Sequence, residues 1–152
     1  MPELTAEGAA FTDLLLEVFR LNGRLLDAGD RLTRPLGLSS ARWQVLGMVE
    51  HGPVTVAQIS RVMGLARQSV QQLTDALERD GFLAYVDNPG HRRARLVQLT
   101  AKGEAAAAHL IPAQAEWANR MGEGQTSETL QAALTTLRAL RERLEQDANP
   151  AP

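Results

Sequence analysis

Three glutamines, an arginine and a serine crowd into one short segment, Arg67-Gln68-Ser69-Val70-Gln71-Gln72. A glutamine amide offers a donor beside an acceptor and can pair with adenine through two hydrogen bonds, while arginine pairs with guanine O6 and N7. A second group follows at His91, Arg92, Arg93 and Arg95, with no acidic residue from Asn88 to Gly103. The chain as a whole is slightly acidic, with 16 Lys and Arg against 18 Asp and Glu and a formal net charge of −2. The basic run is therefore a local electrostatic footprint, which is what phosphate contact requires. Ser39, Arg42 and Thr55, near two earlier helix starts, join these residues as candidate DNA contacts. By themselves the glutamines could equally be a solvated helix face, and the basic run changes that balance.

The elements that must position these side chains can be read from capping and periodicity. If Val70, Leu73, Thr74 and Leu77 point inward on a helix, then Gln68, Gln71, Gln72, Asp75 and Arg79 point outward. Asp75 is unfavourable beside phosphate, so it is expected to lie beyond the groove or to pair with a nearby arginine. Gly81 ends this helix at its C′ position. Upstream, Thr55-Val56-Ala57-Gln58 is a capping box, stapled by Val54 and Ile59. Ser60, Gly64 and Val70 then have the spacing of a helix-turn-helix: a small residue for close crossing, a glycine at the turn, a valine anchoring the second helix. An earlier helix starts at the N-cap Ser39, stapled by Leu38 and Trp43, and stops before Gly52-Pro53.

After Gly81 the period changes. Phe82–Val86 and Arg95–Leu99 predict two short strands around a turn-rich tip, residues 87–94. A helix-turn-helix followed by a basic hairpin is a winged helix. The second helix would enter the major groove and the wing tip the neighbouring minor groove or backbone. One of Arg92 and Arg93 is expected to fold back onto the protein and the other to reach the minor groove.

Long helices flank this middle. Phe11, Leu14, Leu15, Val18, Leu21, Leu25, Leu26 and Leu32 form an apolar stripe that Leu16 and Phe19 widen, and Pro35 and Gly37 end it. Thr100 caps a helix running through an alanine-rich stretch to about Met121, which Pro112 should kink or interrupt. A last helix starts near Thr126, carries Leu130, Leu134, Leu137, Leu140 and Leu144 on one stripe, and is expected to fray from Gln146 to Pro152. The fold class expected is mainly α with a small β-hairpin wing: a winged helix-turn-helix plus a helical region.

Composition narrows the function. At 152 residues the chain has one domain's worth of sequence. With no cysteine there is no disulfide, thiolate metal site or thiol redox sensor. His51, His91 and His109 fall on different elements without paired ligand spacing, so no metal is expected. No phosphate loop, nucleophile elbow or His-Glu metal motif suggests an enzyme. No apolar run approaches a bilayer span, and the acidic N-terminal stretch is unlike a signal peptide, so a soluble cytoplasmic protein without membrane partners is expected.

Residues 65–82, then Arg92-Arg93-Ala94-Arg95-Leu96-Val97-Gln98-Leu99-Thr100-Ala101-Lys102-Gly103, together with residues 38–46, resemble the MarR family of bacterial transcription regulators. The resemblance implies a homodimer on a pseudo-palindromic duplex site. Residues 1–34 and 101–152 would form the helical dimerisation region, and residues 35–100 the DNA-binding lobe. It further implies a repressor released by a small aromatic or phenolic effector, with no cofactor. That effector would bind between the two regions, where Phe19, Arg24, Trp43, Met48, His109 and Trp117 are the candidates. Two positions depart from the family pattern: His91 stands where an Asp usually steadies the wing arginine, and Ala66 where Ser or Asp usually caps the recognition helix. The wide leucine stripes also favour pairing of helices, within one chain or between two. Two other readings keep this fold: a winged-helix protein-interaction module without DNA readout, and an architectural DNA binder with no effector.

Overall fold

Thr5 opens the first helix, its hydroxyl accepting from Gly8 N, and α1 runs over Ala6–Thr33 in this computed structural model. Residues 3–149 are described; Met1, Pro2 and the end of the expected frayed tail at 150–152 lie outside them. Arg34–Leu36 tighten into a 3₁₀ turn that ends at Gly37, whose φ of 70° few other residues adopt. Then follow α2 (Ser40–Val49), β1 (Val54–Thr55), α3 (Val56–Met63), α4 (Arg67–Arg79), β2 (Leu83–Val86), β3 (Leu96–Leu99), α5 (Ala101–Gly122) and α6 (Ser127–Ala148). The expected mainly helical class with a hairpin wing is observed.

The helix starts obey the local chemistry. Ser39 Oγ accepts from Arg42 N at 3.2 Å, and both arms of the Thr55–Gln58 capping box are made. At the other end of α4, Phe82 N donates to Leu77 O at 2.9 Å and Gly81 N to Glu78 O at 3.0 Å, a Schellman closure around Gly81 at φ 84°. α6 holds to Ala148, so Gln146, Asp147 and Ala148 are helical where fraying was expected.

Two expectations need correction. The sheet has three strands, in the order β1-β3-β2, all antiparallel. β1 pairs Val54 with Val97 and Thr55 with Leu96; two residues are too short to show alternation, and Thr55 doubles as a helix cap. Of the kink or interruption expected at Pro112, the interruption does not occur, and α5 is continuous through it. The proline cannot donate to the carbonyl of Ala108, and both residues are exposed, so that carbonyl is free to bond to solvent.

The core gathers Val45, Leu46 and Val49 of α2, Ile59 of α3, Val70 and Leu77 of α4, Leu83 of β2 and Val97 of β3. Each large aliphatic side chain buried there contributes roughly 1.5–3 kcal/mol of transfer free energy. Two joints tie neighbouring helices to this core. Asp30 Oδ1 on α1 accepts from Ser40 N, at the start of α2, at 2.7 Å, and Gly29 leaves room for the Ser40 side chain against it. Gly103 on α5 lies so close to the Phe82 carbonyl that a Cβ would collide with backbone. Thr100 Oγ1 accepts from Gly103 N and donates to Gly81 O beside that contact.

The chain divides into two compact units, residues 1–113 and 114–152, with the division inside α5. The first contains every element from α1 to β3. The second contains the end of α5 and α6, whose leucines at 130, 134, 137 and 144 are exposed.

Candidate nucleic-acid interface

α4 is held by its inner face. Val70, Thr74 and Leu77 are buried, while Arg67, Gln68, Ser69, Gln72, Asp75 and Arg79 are exposed, as the helical geometry requires. Gln71 is the exception, half-buried at the flank of the helix. The helix N-terminus has no side-chain cap: Ala66 sits in extended conformation and offers no acceptor to the first-turn N–H groups. Those free donors point where an anion would be welcome.

The wing is ordered by an asparagine. Asn88 Nδ2 donates to Ala94 O at 2.9 Å, and Asn88 Oδ1 accepts from Gly90 N at 3.1 Å, closing the tip on itself. His91, Arg92 and Arg93 are exposed on that tip, and neither Arg92 nor Arg93 makes an ion pair or side-chain hydrogen bond among the described residues. The arginine that folds back is Arg95, which corrects the expectation for Arg92 and Arg93. Its Nη2 donates to Tyr85 O at 3.2 Å, and its guanidinium stacks 5.2 Å from the Tyr85 ring centroid.

Between α4, the start of α3 and the wing lies an open groove of about 330 Å³, lined by Thr55, Arg67, Gln71, Asp75, Tyr85, Arg93 and Arg95 among others. Five of these were singled out from sequence, and the fold brings them together. Asp75 lines this hollow, and among the described residues it makes no ion pair with an arginine. Its Oδ1 accepts from Tyr85 Oη at 2.6 Å and from Gln71 Nε2 at 2.8 Å. Those two bonds hold the Asp75 carboxyl below the usual carboxylate range. Burial pushes the Tyr85 phenol up to about 12, and the hydrogen bond to Asp75 adds to that. Tyr85 escaped the sequence reading; a half-buried tyrosine on a strand needs a partner for its hydroxyl, which was the available signal.

Three upstream candidates are committed to internal contacts. Ser39 and Thr55 act as helix caps. Arg42 Nη1 pairs with Asp80 Oδ2 at 2.9 Å, tying α2 to the C-terminus of α4. Lys102 Nζ donates to Asp80 O at 2.7 Å and covers the Phe82 ring, so the end of α4 is held from two sides.

A MarR family profile matches residues 36–94, which span α2, α3, α4 and the wing. An uncharacterized protein of Mycobacterium tuberculosis is 32% identical over 127 residues, covering 84% of this chain and 89% of its own length. The chain belongs to the MarR family. Its fold matches that of a MarR/EmrR family regulator from Acinetobacter sp. ADP1, with TM-score 0.81 and 17% identity over 89% of this chain and 96% of the other. A MarR variant from E. coli complexed with operator DNA aligns with TM-score 0.69 and 19% identity over 84% and 96%. The family and the fold are those of transcription regulators.

In this MarR-family chain the candidate effector residues of the unit 1–113 lie on α1, α2 and α5. Trp43 and Met48 are half-buried and pack against the core, while Phe19 is exposed on α1. Arg24 pairs with Asp27 at 3.6 Å. His109 borders a separate hollow with Leu36, Phe82 and Lys102, and Trp117 is half-buried in the unit 114–152. No ion pair joins Glu116 to Arg120, although one helical turn separates them. Among the described residues no group of three or more His, Asp and Glu could hold a metal ion. No helix among them is long and apolar enough to cross a membrane.

Proposed function

We propose that this MarR-family chain is a sequence-specific transcription regulator that reads duplex DNA with α4 and anchors on it with the wing. The observation that carries this is the pairing of an exposed, uncapped α4 N-terminus bearing Arg67, Gln68, Ser69 and Gln72 with a wing tip whose Arg92 and Arg93 are free. Helix-borne amides suit base edges, and unpaired guanidinium groups suit phosphate or the minor groove. The E. coli neighbour described with operator DNA supports the reading.

A single winged helix reads one half-site. The exposed leucine stripes of α1 and α6 favour a homodimer, built by residues 1–34 and 101–152, that carries two lobes of residues 35–100 to a pseudo-palindromic site. Such a protein works in the cytoplasm, on the nucleoid. Repression relieved by a small aromatic or phenolic effector completes the reading; the effector must bind the DNA-free arrangement more tightly than the DNA-bound one. Activation is a second reading, favoured by a relative from Rhodopseudomonas palustris, the transcriptional activatory protein BadR, 31% identical over 59% of this chain.

Selection of sites from random duplex DNA tests the core of this. An enriched palindrome, with affinity that falls steeply with salt, is expected. Arg93→Ala should lower the salt slope by about 1.8, the share of two phosphate contacts, one in each half-site. Gln72→Ala should relax preference at one position in each half-site. Salt-sensitive binding without enrichment would mean an architectural binder, and no binding at low salt an interaction module. A reporter driven from the selected site reads the sign of regulation.

A further inference from the structure

The two ends of α4 are held differently. Its reading end, Arg67 to Gln72, starts from Ala66 without a side-chain cap. Its C-terminal end is clasped. Asp80 is the C-cap, and Gly81 turns the chain away at φ 84°. Arg42 reaches across from α2 and donates from Nη1 to Asp80 Oδ2 at 2.9 Å. Lys102 reaches in from α5. Its stem lies beside Gly81, where an added Cβ would come within 3.7 Å of Lys102 Cδ. Its Nζ donates to Asp80 O at 2.7 Å and sits 4.3 Å from the centre of the Phe82 ring. Lys102 makes no ion pair among the described residues. Its charge is directed instead at a carbonyl on the negative end of the α4 dipole, one of those left without a donor inside the helix. Thr100 Oγ1 donates to Gly81 O, and Gly103 lets α5 approach the Phe82 backbone, so the same turn is gripped along its length.

We propose that Arg42 and Lys102 are positioning residues for DNA reading: by clasping Asp80 from α2 and α5 they set the angle at which α4 presents its first turns to the bases. The inference rests on the DNA-reading function proposed above. It gives Arg42, a candidate DNA contact by sequence, a role that acts through α4 instead. The buried stripe of Val70, Thr74 and Leu77 decides which face of α4 turns outward, and the clasp opposes tilting of the helix on that stripe. α4 has 13 residues and is about 20 Å long. A tilt of about 5° at the clasped end therefore carries the first turn about 1.7 Å sideways. A hydrogen bond to a base edge does not survive a displacement of that size. Contacts from long wing arginines to phosphate do survive it, because those side chains can follow. Loss of the clasp therefore falls on sequence readout and spares general affinity for duplex DNA.

The test compares the full-length wild type with Lys102→Met, Lys102→Arg and Arg42→Met. Each is titrated against the site that the wild type selects and against a random duplex of the same length, over a range of salt. Lys102→Met keeps the apolar stem and removes the charge and the donor, while Lys102→Arg keeps both. The Lys102 side chain is exposed on α5, so its variants serve if Arg42→Met fails to fold. Lys102→Met and Arg42→Met should each weaken binding to the selected site about tenfold, the scale of one mismatched base pair. Their binding to the random duplex should stay within about twofold of the wild type, with an unchanged salt slope. Lys102→Arg should stay within about twofold on both duplexes. A random-duplex salt slope lowered by about 1.8 would make the substituted residue a phosphate contact in each half-site and overturn the proposal. Equal losses on the two duplexes would overturn it too, since a merely structural role weakens both alike. So would a selected-site affinity that neither Lys102→Met nor Arg42→Met changes. If the wild type selects no site, the DNA reading has failed and this proposal falls with it. If it selects a site that both variants bind as well as the wild type, only the clasp has failed.

Discussion

Tyr85 is the single tyrosine of the chain, so its phenolate absorbance reports one group. Its pKa in the folded protein is raised from 10.0 to about 12. Stability linked to the phenol is therefore whole below about pH 10 and is lost as pH climbs towards 12. Asp75 is shifted the other way: its contribution is present above the ordinary carboxylate value and is lost as pH falls through the depressed folded value. After a rapid alkaline jump the folded chain should form phenolate close to pH 12, and the denatured chain close to 10. Asp75→Asn should bring the folded midpoint down, because the carboxylate charge disappears while burial stays. A wild-type midpoint that matches the denatured one would mean the cluster does not hold in solution. At this scale residue types were legible and engagement was not. Gln71 and Gln72 are adjacent glutamines, and only the position of a strand far along the chain separates their roles.

Helix boundaries were the most legible features at the scale of elements, because caps act within one turn. Ser39, Thr55 and Gly81 do what their types and spacing require. Ala66 is where this chain forgoes a cap, so Ala66→Ser should stabilise the fold by about 0.5–2 kcal/mol, read as a rise in the denaturant midpoint at constant slope. An unchanged midpoint would show that the α4 N-terminus is already satisfied. Close approaches between elements were not legible. Gly47 and Gly103 are both helical glycines, but an added Cβ meets nothing within 4 Å at Gly47 and meets the Phe82 backbone at Gly103. Gly47→Ala should gain about 0.4–1 kcal/mol through the unfolded chain. Gly103→Ala should lose more than about 2 kcal/mol, since backbone must move. Equal effects in chemical unfolding would contradict the packing of α5 against Phe82. β1 was missed for a related reason: its only signature is its partner, β3.

The whole molecule leaves much of its apolar surface uncovered. Leu16, Leu21 and Leu25 on α1 and Leu130, Leu137 and Leu144 on α6 are exposed in the single chain. Exposed leucines repeated along a helix are the reason the homodimer is proposed. Sedimentation should show a particle of twice 16.5 kDa, and Leu134→Glu should shift it towards the single-chain mass and weaken binding to a two-half-site operator far more than to one half-site. A wild type that sediments as a single chain at micromolar concentration would remove the dimer from the reading.

The amino-acid sequence by itself determined the helices, their caps, the wing and the basic footprint, because periodicity, capping and charge runs act over a few residues. Tertiary structure alone decided which polar groups are spent internally. It committed Arg42 to Asp80, turned Arg95 rather than Arg92 or Arg93 back onto the protein, and tied Gln71 to Tyr85 through Asp75. Hydrogen bonds and ion pairs need distances of about 3 Å between groups that the chain order keeps far apart, and only the packed fold sets those distances.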